Sequence, residues 1–298
     1  MLAIVIPYFK KFFFEETLIS LANQTDKRFV VYIGDDASKE SPKDLLEKMK
    51  GKFEFYYHKF DENLGSKSLT QQWNRCIMLT KNEPWLMVLG DDDLLGSNVV
   101  SSFYENLAEI FSTNFKVIRF SVIKINDLSE NISTLFINPK KEKAIDLLFE
   151  KKRCSLSEHI FWKENVINIG FKNFELGWFS DVLAVLEFSN FEDVFSINEA
   201  QISIRISENS ISGMKVNFKK KATATKQFYS YLLINKKEYF DKNERIELLN
   251  RLSNCYLNNK KNVVFFLMIS LIYIQNLHFV EYFKFCSKTL KSILKIKQ

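Results

Sequence analysis

Over the first 125 residues, short apolar runs alternate with segments of helical periodicity. Residues 2–6, 29–33, 53–58 and 85–89 are each of strand length and rich in β-branched or aromatic side chains. Pro7, Gly34 and Gly90 punctuate three of them. Between them, residues 14–24 put Phe14, Leu18, Leu21 and Ala22 on one helical face, and Ser41-Pro42 opens a helix reaching Lys50. Residues 69–80 carry Trp73, Cys76 and Ile77 at helical spacing; residues 101–111 read as a helix and 115–125 as an alternating strand. Strand–helix alternation of this kind predicts an α/β fold with a mainly parallel sheet and right-handed crossovers. Ligands of such sheets bind beyond the carboxyl ends of the strands.

The second half is less regular. Residues 132–137 are a candidate strand and 143–152 a short helix, while 156–162 mix polar and bulky apolar groups. Trp178-Phe179-Ser180-Asp181 precedes an apolar helix over 182–188, which Ser180 and Asp181 are suited to cap. Residues 200–206 alternate, with Ile202, Ile204 and Ile206 on one face and Arg205 on the other. A boundary is expected near Ser212-Gly213, followed by helices over 219–234, 244–257, 263–275 and 280–295.

Composition narrows the picture. The 29 phenylalanines against 8 glycines and 4 prolines argue against a disordered or loop-rich chain. Cys76, Cys154, Cys255 and Cys286 form no metal-spaced pair and read as reduced thiols of a cytoplasmic protein. The first residues read as a strand rather than a signal peptide. The longest apolar run, 263–274, is shorter than the ~20 residues a spanning helix needs. Charge is uneven: residues 214–298 hold 17 Lys/Arg against 5 Asp/Glu, a net +12 out of +6, which leaves −6 for the first 213. The basic tail suits an anionic membrane surface or an acidic acceptor. No aromatic-plus-basic signature of nucleic-acid binding accompanies it. Its apolar positions at helical spacing fit either a packing module or dimer surface, or an interfacial element near the inner face of the cell membrane.

The densest chemistry follows the fourth strand, at Gly90-Asp91-Asp92-Asp93. Adjacent carboxylates repel one another, so a turn of this kind calls for a bound cation or for solvent and a helix N-terminus to cap. Asp35-Asp36 ends the second strand in the same way, so the sheet topology brings the two clusters to one edge. No glycine-rich phosphate loop follows the first strand.

Ile4-Val5-Ile6-Pro7, Ser20-Leu21-Ala22-Asn23-Gln24-Thr25, Gly34-Asp35-Asp36-Ala37-Ser38, Asn63-Leu64-Gly65 and Gly90-Asp91-Asp92-Asp93-Leu94 stand in the order and spacing of family-2 glycosyltransferases. The resemblance extends through Ser180-Asp181 and Arg205, covering about the first 212 residues; the last 86 have no counterpart. It implies a GT-A fold with a Rossmann-like, mixed but mainly parallel sheet. A glycosyltransferase domain would span residues 1–213, with a nucleotide-binding part over 1–125 and an acceptor part over 126–213. A basic helical extension would follow over 214–298.

The resemblance also implies inverting sugar transfer from a nucleotide-sugar, with a UDP-sugar favoured, to the hydroxyl of a glycan or lipid-linked glycan. Capsule, O-antigen or exopolysaccharide assembly is the common setting in bacteria. Mn²⁺ or Mg²⁺ is the expected cofactor. Asp92 matches the metal-binding carboxylate of the DXD motif, Asp93 ligates or supports, and Asp91 matches the position that touches the ribose. Asp36 resembles the carboxylate that receives the base, with Asp35 as its neighbour or loop support, and Pro7 and Tyr8 resemble the segment that packs on the base. Lys67 lies in the loop near the diphosphate, Arg205 resembles an arginine that closes over it, Asp181 resembles the general base, and Glu158 faces the acceptor. Gly90 stands where many relatives have an acid and Ser207 where many have His. Two other classes compete: a nucleotidyltransferase, which would need a basic glycine-rich loop after the first strand, and a non-catalytic nucleotide-sugar-binding scaffold.

Overall fold

The computed structural model describes residues 1–150, 153–207, 218–257 and 262–294. It divides into two compact units, Met1–Asn173 with Ser180–Lys215 and Phe174–Phe179 with Val216–Gln298. The boundary expected at Ser212-Gly213 lies outside the described residues, and the short segment Phe174–Phe179 groups with the second unit.

The first unit is built on a nine-stranded sheet: β1 (Leu2–Tyr8), β2 (Phe29–Asp35), β3 (Glu54–Lys59), β4 (Trp85–Val88), β5 (Leu94–Leu95), β6 (Val117–Ile125), β7 (Lys141–Lys143), β8 (His159–Trp162) and β9 (Asp193–Arg205). The order is β3-β2-β1-β4-β8-β6-β9-β5, with β7 on β9. Strands β1 to β4 are mutually parallel. Strand β8 is antiparallel to both β4 and β6, and β9 is parallel to β6. Two reversals restore direction, so β6 and β9 point the same way as β1 to β4. Tyr8, Asp35, Val88 and Arg205 therefore end their strands at one edge. Strand β8 runs the other way and brings its first residue, His159, and the preceding Glu158 to that same edge.

The alternation of apolar residues decides which helices cover which face. Leu2, Ile4, Ile6, Phe29, Val31, Ile33 and Met87 form a core with α1 (Phe14–Ala22), α2 (Lys43–Met49) and α4 (Val99–Ser112). Helix α3 (Leu69–Ile77) packs on β1 and β2, where Gly34 lets it approach: a Cβ there would overlap Cys76 Sγ. Gln72 Nε2 donates to the Gly34 carbonyl at 3.1 Å across the same contact. Pro7 does not end β1 as expected. Strand β4 pairs with β1 only as far as Val5, so the N–H that Pro7 lacks falls where β4 has no partner to offer.

Several expectations for the second half are corrected. Residues 132–137 form no strand, only an isolated bridge from Phe136 to Val122, with a second just before them from Asn131 to Ile125. The helix expected over 143–152 is β7 followed by the single turn α5 (Asp146–Phe149), with 151–152 outside the described residues. Strand β8 and the following α6 (Lys163–Ile169) were not legible as separate elements. Helix α7 begins at Ser180 and ends at Phe188. The Ser180 hydroxyl donates to the Lys172 carbonyl at 2.7 Å, so it does not cap the helix.

The second unit holds α8 (Phe218–Asn235), α9 (Lys242–Leu257), α10 (Val263–Gln275) and α11 (Phe279–Ile293), close to the expected spans. Phe228, Leu232, Leu248, Leu252, Ile269 and Phe285 are buried in it. No helix among the described residues is long and apolar enough to cross a membrane.

Gly34→Ala should destabilise the protein by about 1–3 kcal/mol through overpacking. Cys76→Ala in the same chain should recover part of that loss, because it removes the sulfur that the new Cβ meets. Urea unfolding of the two single variants and the double variant measures this; additive losses would contradict it.

Candidate active site

Loops after β1, β2 and β4 meet at the carboxyl edge. The Leu89 N–H donates to the Val5 carbonyl at 2.9 Å, carrying the ladder one residue past β4, and the Asp36 N–H donates to the Tyr8 carbonyl at 3.0 Å. The acidic triplet then turns through this junction, and its three carboxylates go to different partners.

Asp93 points inward. Its Oδ2 accepts from the Ser157 hydroxyl at 2.5 Å and its Oδ1 from the Arg205 N–H at 2.9 Å. Ser157 Oγ also accepts from the Gly90 N–H at 3.0 Å, so one hydroxyl joins both ends of the turn. A Cβ on Gly90 would stand 2.9 Å from Asp93 Oδ2 and 3.0 Å from Asp92 Oδ1, which accounts for glycine where relatives carry an acid. Both oxygens of Asp93 thus hold the turn, which agrees with the supporting one of its two expected roles. Asp91 Oδ2 accepts the N–H groups of Phe9 and Lys10 at 2.8 and 2.9 Å and fixes the loop after β1. Its Oδ1 receives no hydrogen bond from the other described residues.

Among the described residues, no other residue donates a hydrogen bond to the Asp92 carboxylate. Burial, then the charges of Asp93 and Asp91, push it up to about 8 against the opposing pull of Arg205. It lines a small cavity of about 40 Å³ with Lys10, Phe12, Phe13, Asp91 and Ser207. Among the described residues no group of three or more His, Cys, Asp or Glu is arranged to hold a metal. The donor set fits a hard cation held by one carboxylate, with phosphate and water oxygens as the other ligands.

Arg205 differs most from expectation. It is buried at the end of β9. Its Nε donates to the Asp92 carbonyl at 3.0 Å, Nη1 to the Asn126 carbonyl at 2.8 Å, and Nη2 to Glu16 at 2.9 Å and Ser129 at 3.0 Å. The guanidinium also lies 4.1 Å from the centre of the Phe13 ring. It braces the acidic turn from behind rather than closing over a diphosphate.

The base side is also redistributed. Tyr8 is fully buried, donates to the Glu40 carbonyl at 2.6 Å and packs on Phe14, so it cannot lie on a base as expected; the next ring, Phe9, is 41 % exposed. Asp35 is buried, accepting from the Ser38 N–H at 2.7 Å and the Tyr57 hydroxyl at 2.6 Å, which supports the loop. Asp36 accepts from the Leu64 N–H at 2.7 Å, the Gly65 N–H at 2.9 Å and Arg75 at 2.5 Å. Three donors leave Asp36 little capacity for a base, and a Cβ on Gly65 would meet it at 2.5 Å. Arg75, one turn after Gln72 on α3, had no signal beyond its helical spacing. Lys67 is exposed and pairs with Glu62 at 3.3 Å.

On the acceptor side, Glu158 is buried and ion-paired with Arg153, and it also accepts from the Ser155 hydroxyl at 2.7 Å. Burial raises its pKa while Arg153 opposes the rise. It is therefore a structural ion pair rather than an open acceptor contact, and Arg153 was not foreseen. His159 is fully buried and held near 3 by burial and by Arg119, so it stays neutral. Asp181, half-buried at the start of α7, accepts only from the Val182 N–H at 2.8 Å. Burial raises its carboxyl to about 6, and backbone N–H groups and Arg153 oppose the rise. Just before it, Phe179 adopts a left-handed backbone with φ of 69°, an uncommon state for an aromatic residue.

Residues 3–164 match the family model described as glycosyl transferase family 2. No curated protein matches the sequence. Solved structures share the fold. TarS 1-349 from S. aureus in complex with UDP-GlcNAc superposes with a TM-score of 0.65 at 13 % identity, covering 92 % of this chain and 80 % of that one. The same protein with UDP gives 0.57 at 12 % identity, over 98 % and 88 %. GalNAc-T7 with UDP, GalNAc and Mn²⁺ gives 0.54 at 10 % identity, over 80 % of this chain and 49 % of that one. With more than half of its length matched, and the sheet and acidic turn in the places the motifs require, this chain belongs to glycosyl transferase family 2 and is a glycosyltransferase with a GT-A fold.

Proposed function

We propose that the protein transfers a sugar from a UDP-sugar to an acceptor hydroxyl with inversion, Asp181 acting as general base and Asp92 as the protein's metal ligand. The observation that carries this reading is the isolation of two carboxylates. Along an edge where Asp35, Asp36, Asp91, Asp93 and Glu158 are all bound to protein donors, Asp92 receives no hydrogen bond from the other described residues and Asp181 only that of the Val182 N–H. Relatives solved with UDP-GlcNAc and with UDP support the donor class.

The chemistry follows from the chain's own groups. Asp181 removes the acceptor proton as the acceptor oxygen bonds to the anomeric carbon, and the nucleoside diphosphate leaves with the electrons of the broken bond. A carboxyl near 6 is ionised at neutral pH yet basic enough to take up that proton. Asp92 would hold Mn²⁺ or Mg²⁺, which when bound supplies Lewis-acid stabilisation of the leaving diphosphate. Asp91 Oδ1 would accept a ribose hydroxyl, and the Phe9 ring, 41 % exposed, would pack on the base. Ser207, on the wall of the same cavity, replaces the expected histidine and leaves Asp92 the principal side-chain ligand. A glycan or lipid-linked glycan as acceptor, in surface-polysaccharide assembly, completes the proposal.

Asp92→Asn should weaken Mn²⁺-dependent UDP binding at least about tenfold, while Asp93→Asn should instead lower stability by about 1–3 kcal/mol by breaking a buried network. Calorimetric titration with UDP and thermal unfolding separate the two, and equal loss of binding from both would contradict the division.

Asp181→Asn should lower turnover by about 10²–10⁴ with donor binding intact. In the native chain, kcat/KM should rise with pH through a limb near 6, since the base works only when deprotonated. Full turnover by Asp181→Asn would show that Asp181 is not the base.

A further inference from the structure

The second unit carries an outward face that glycosyl transfer does not explain. Residues 262–278 contain no Lys, Arg, Asp or Glu. Helix α10, within this stretch, buries Phe265, Ile269, Ile272 and Tyr273, with Phe265 against Tyr256 of α9 and Tyr273 against Phe285 of α11. A surface helix ordinarily turns charge outward opposite such a face. Instead Val263, Val264, Leu267, Leu271 and Ile274 are exposed, Val264 by 76 %. At 100° per residue these five lie within a stripe roughly 100° wide. Helix α11 repeats the pattern with charge added: Phe279, Val280, Phe283, Leu290 and Ile293 are exposed on one side. Lys284, Lys288 and Lys291 follow along one border of that stripe, and an open groove is lined by Val280, Phe283, Ser287 and these lysines.

We propose that α10 and α11 form an interfacial surface that binds an anionic lipid bilayer. The side-chain chemistry selects this occupant. Between residues 262 and 294 the only acid is Glu281, against three lysines. Apolar side chains bordered by lysine enter the acyl boundary while the ammonium groups remain among lipid phosphates. A second copy seated antiparallel across α11 would set lysine border against lysine border. At 13 residues α10 is about 20 Å long, too short to span the hydrocarbon core, so it lies in the interface plane. The proposal stands on the second unit alone and does not depend on the roles of Asp92 or Asp181.

The test is co-sedimentation of the full chain with vesicles of phosphatidylcholine alone and with about one-third phosphatidylglycerol. The native chain should partition onto the anionic vesicles, and less so as salt rises. Leu267→Glu with Leu271→Glu, both exposed positions, should lower that partition at least about tenfold. Lys284→Glu with Lys288→Glu and Lys291→Glu should do the same on anionic vesicles only, each lysine accounting for about fivefold. Circular dichroism checks that both variants keep their helices. No partition of the native chain, or partition unchanged in both variants, would overturn the proposal. So would a dimer seen by light scattering that Leu267→Glu with Leu271→Glu dissociates, because a second copy would then cover the face.

Discussion

Three consecutive carboxylates cannot share a half-buried turn unless each finds its own means of support, and the edge of this sheet is arranged around that constraint. Asp93 takes the hydroxyl of Ser157 and the main chain of Arg205, Asp91 takes two N–H groups from the loop after β1, and Asp92 receives none. The supports come from β1, β9 and the turn before β8, which are far apart in sequence and adjacent only because the sheet orders them so. The price of keeping Asp92 unpartnered is a carboxyl raised to about 8, a proton that a bound cation would displace. The acids that look alike in sequence are therefore unlike in structure: Asp91 and Asp93 hold the turn, while Asp92, beside Asp91 on the cavity wall, holds none of it.

The motifs shared with the family divide in the same way. Ser20 and Gln24 touch no site. Ser20 Oγ accepts from the Leu95 N–H at 3.2 Å, while Gln24 donates to the Gly96 carbonyl at 2.8 Å and accepts from the Val100 N–H at 3.1 Å. They fix the chain where it leaves the acidic turn and enters α4. Gly65 allows the loop before α3 to close on Asp36, and Arg75 neutralises that carboxylate from the helix. Much of what the motifs encode is thus the rigidity of three loops, and rigid loops are what a positioned donor requires.

The strand–helix order and the edge at which the acidic turns meet were legible because each rests on local periodicity or on adjacency in the chain, whereas Asp92 and Asp181 were singled out by the resemblance to the family. What was not legible depended on non-local pairing. Strand β8 has four residues and no clean alternation, so only its partners β4 and β6 identify it. Arg205 looked available because its neighbours in sequence offer no partner; Glu16, Asn126 and Ser129 reach it only in the folded chain. Glu158 is the local exception: Arg153 and Ser155, five and three residues before it, turn back onto it through a 3₁₀ turn that has no clear sequence signal. Tyr8 differs from Phe9 only by the alternation of β1, which carried one residue beyond the expected stop at Pro7.

The central claim is that, of the three acids, Asp92 is the one that ligates the metal. A crystal structure of the protein with Mn²⁺ and UDP tests it most directly. The account predicts a metal bound by an Asp92 oxygen and by diphosphate oxygens, with Asp93 still on Ser157 and the Arg205 N–H. A metal held by Asp93, its bonds to Ser157 and Arg205 broken, would contradict it.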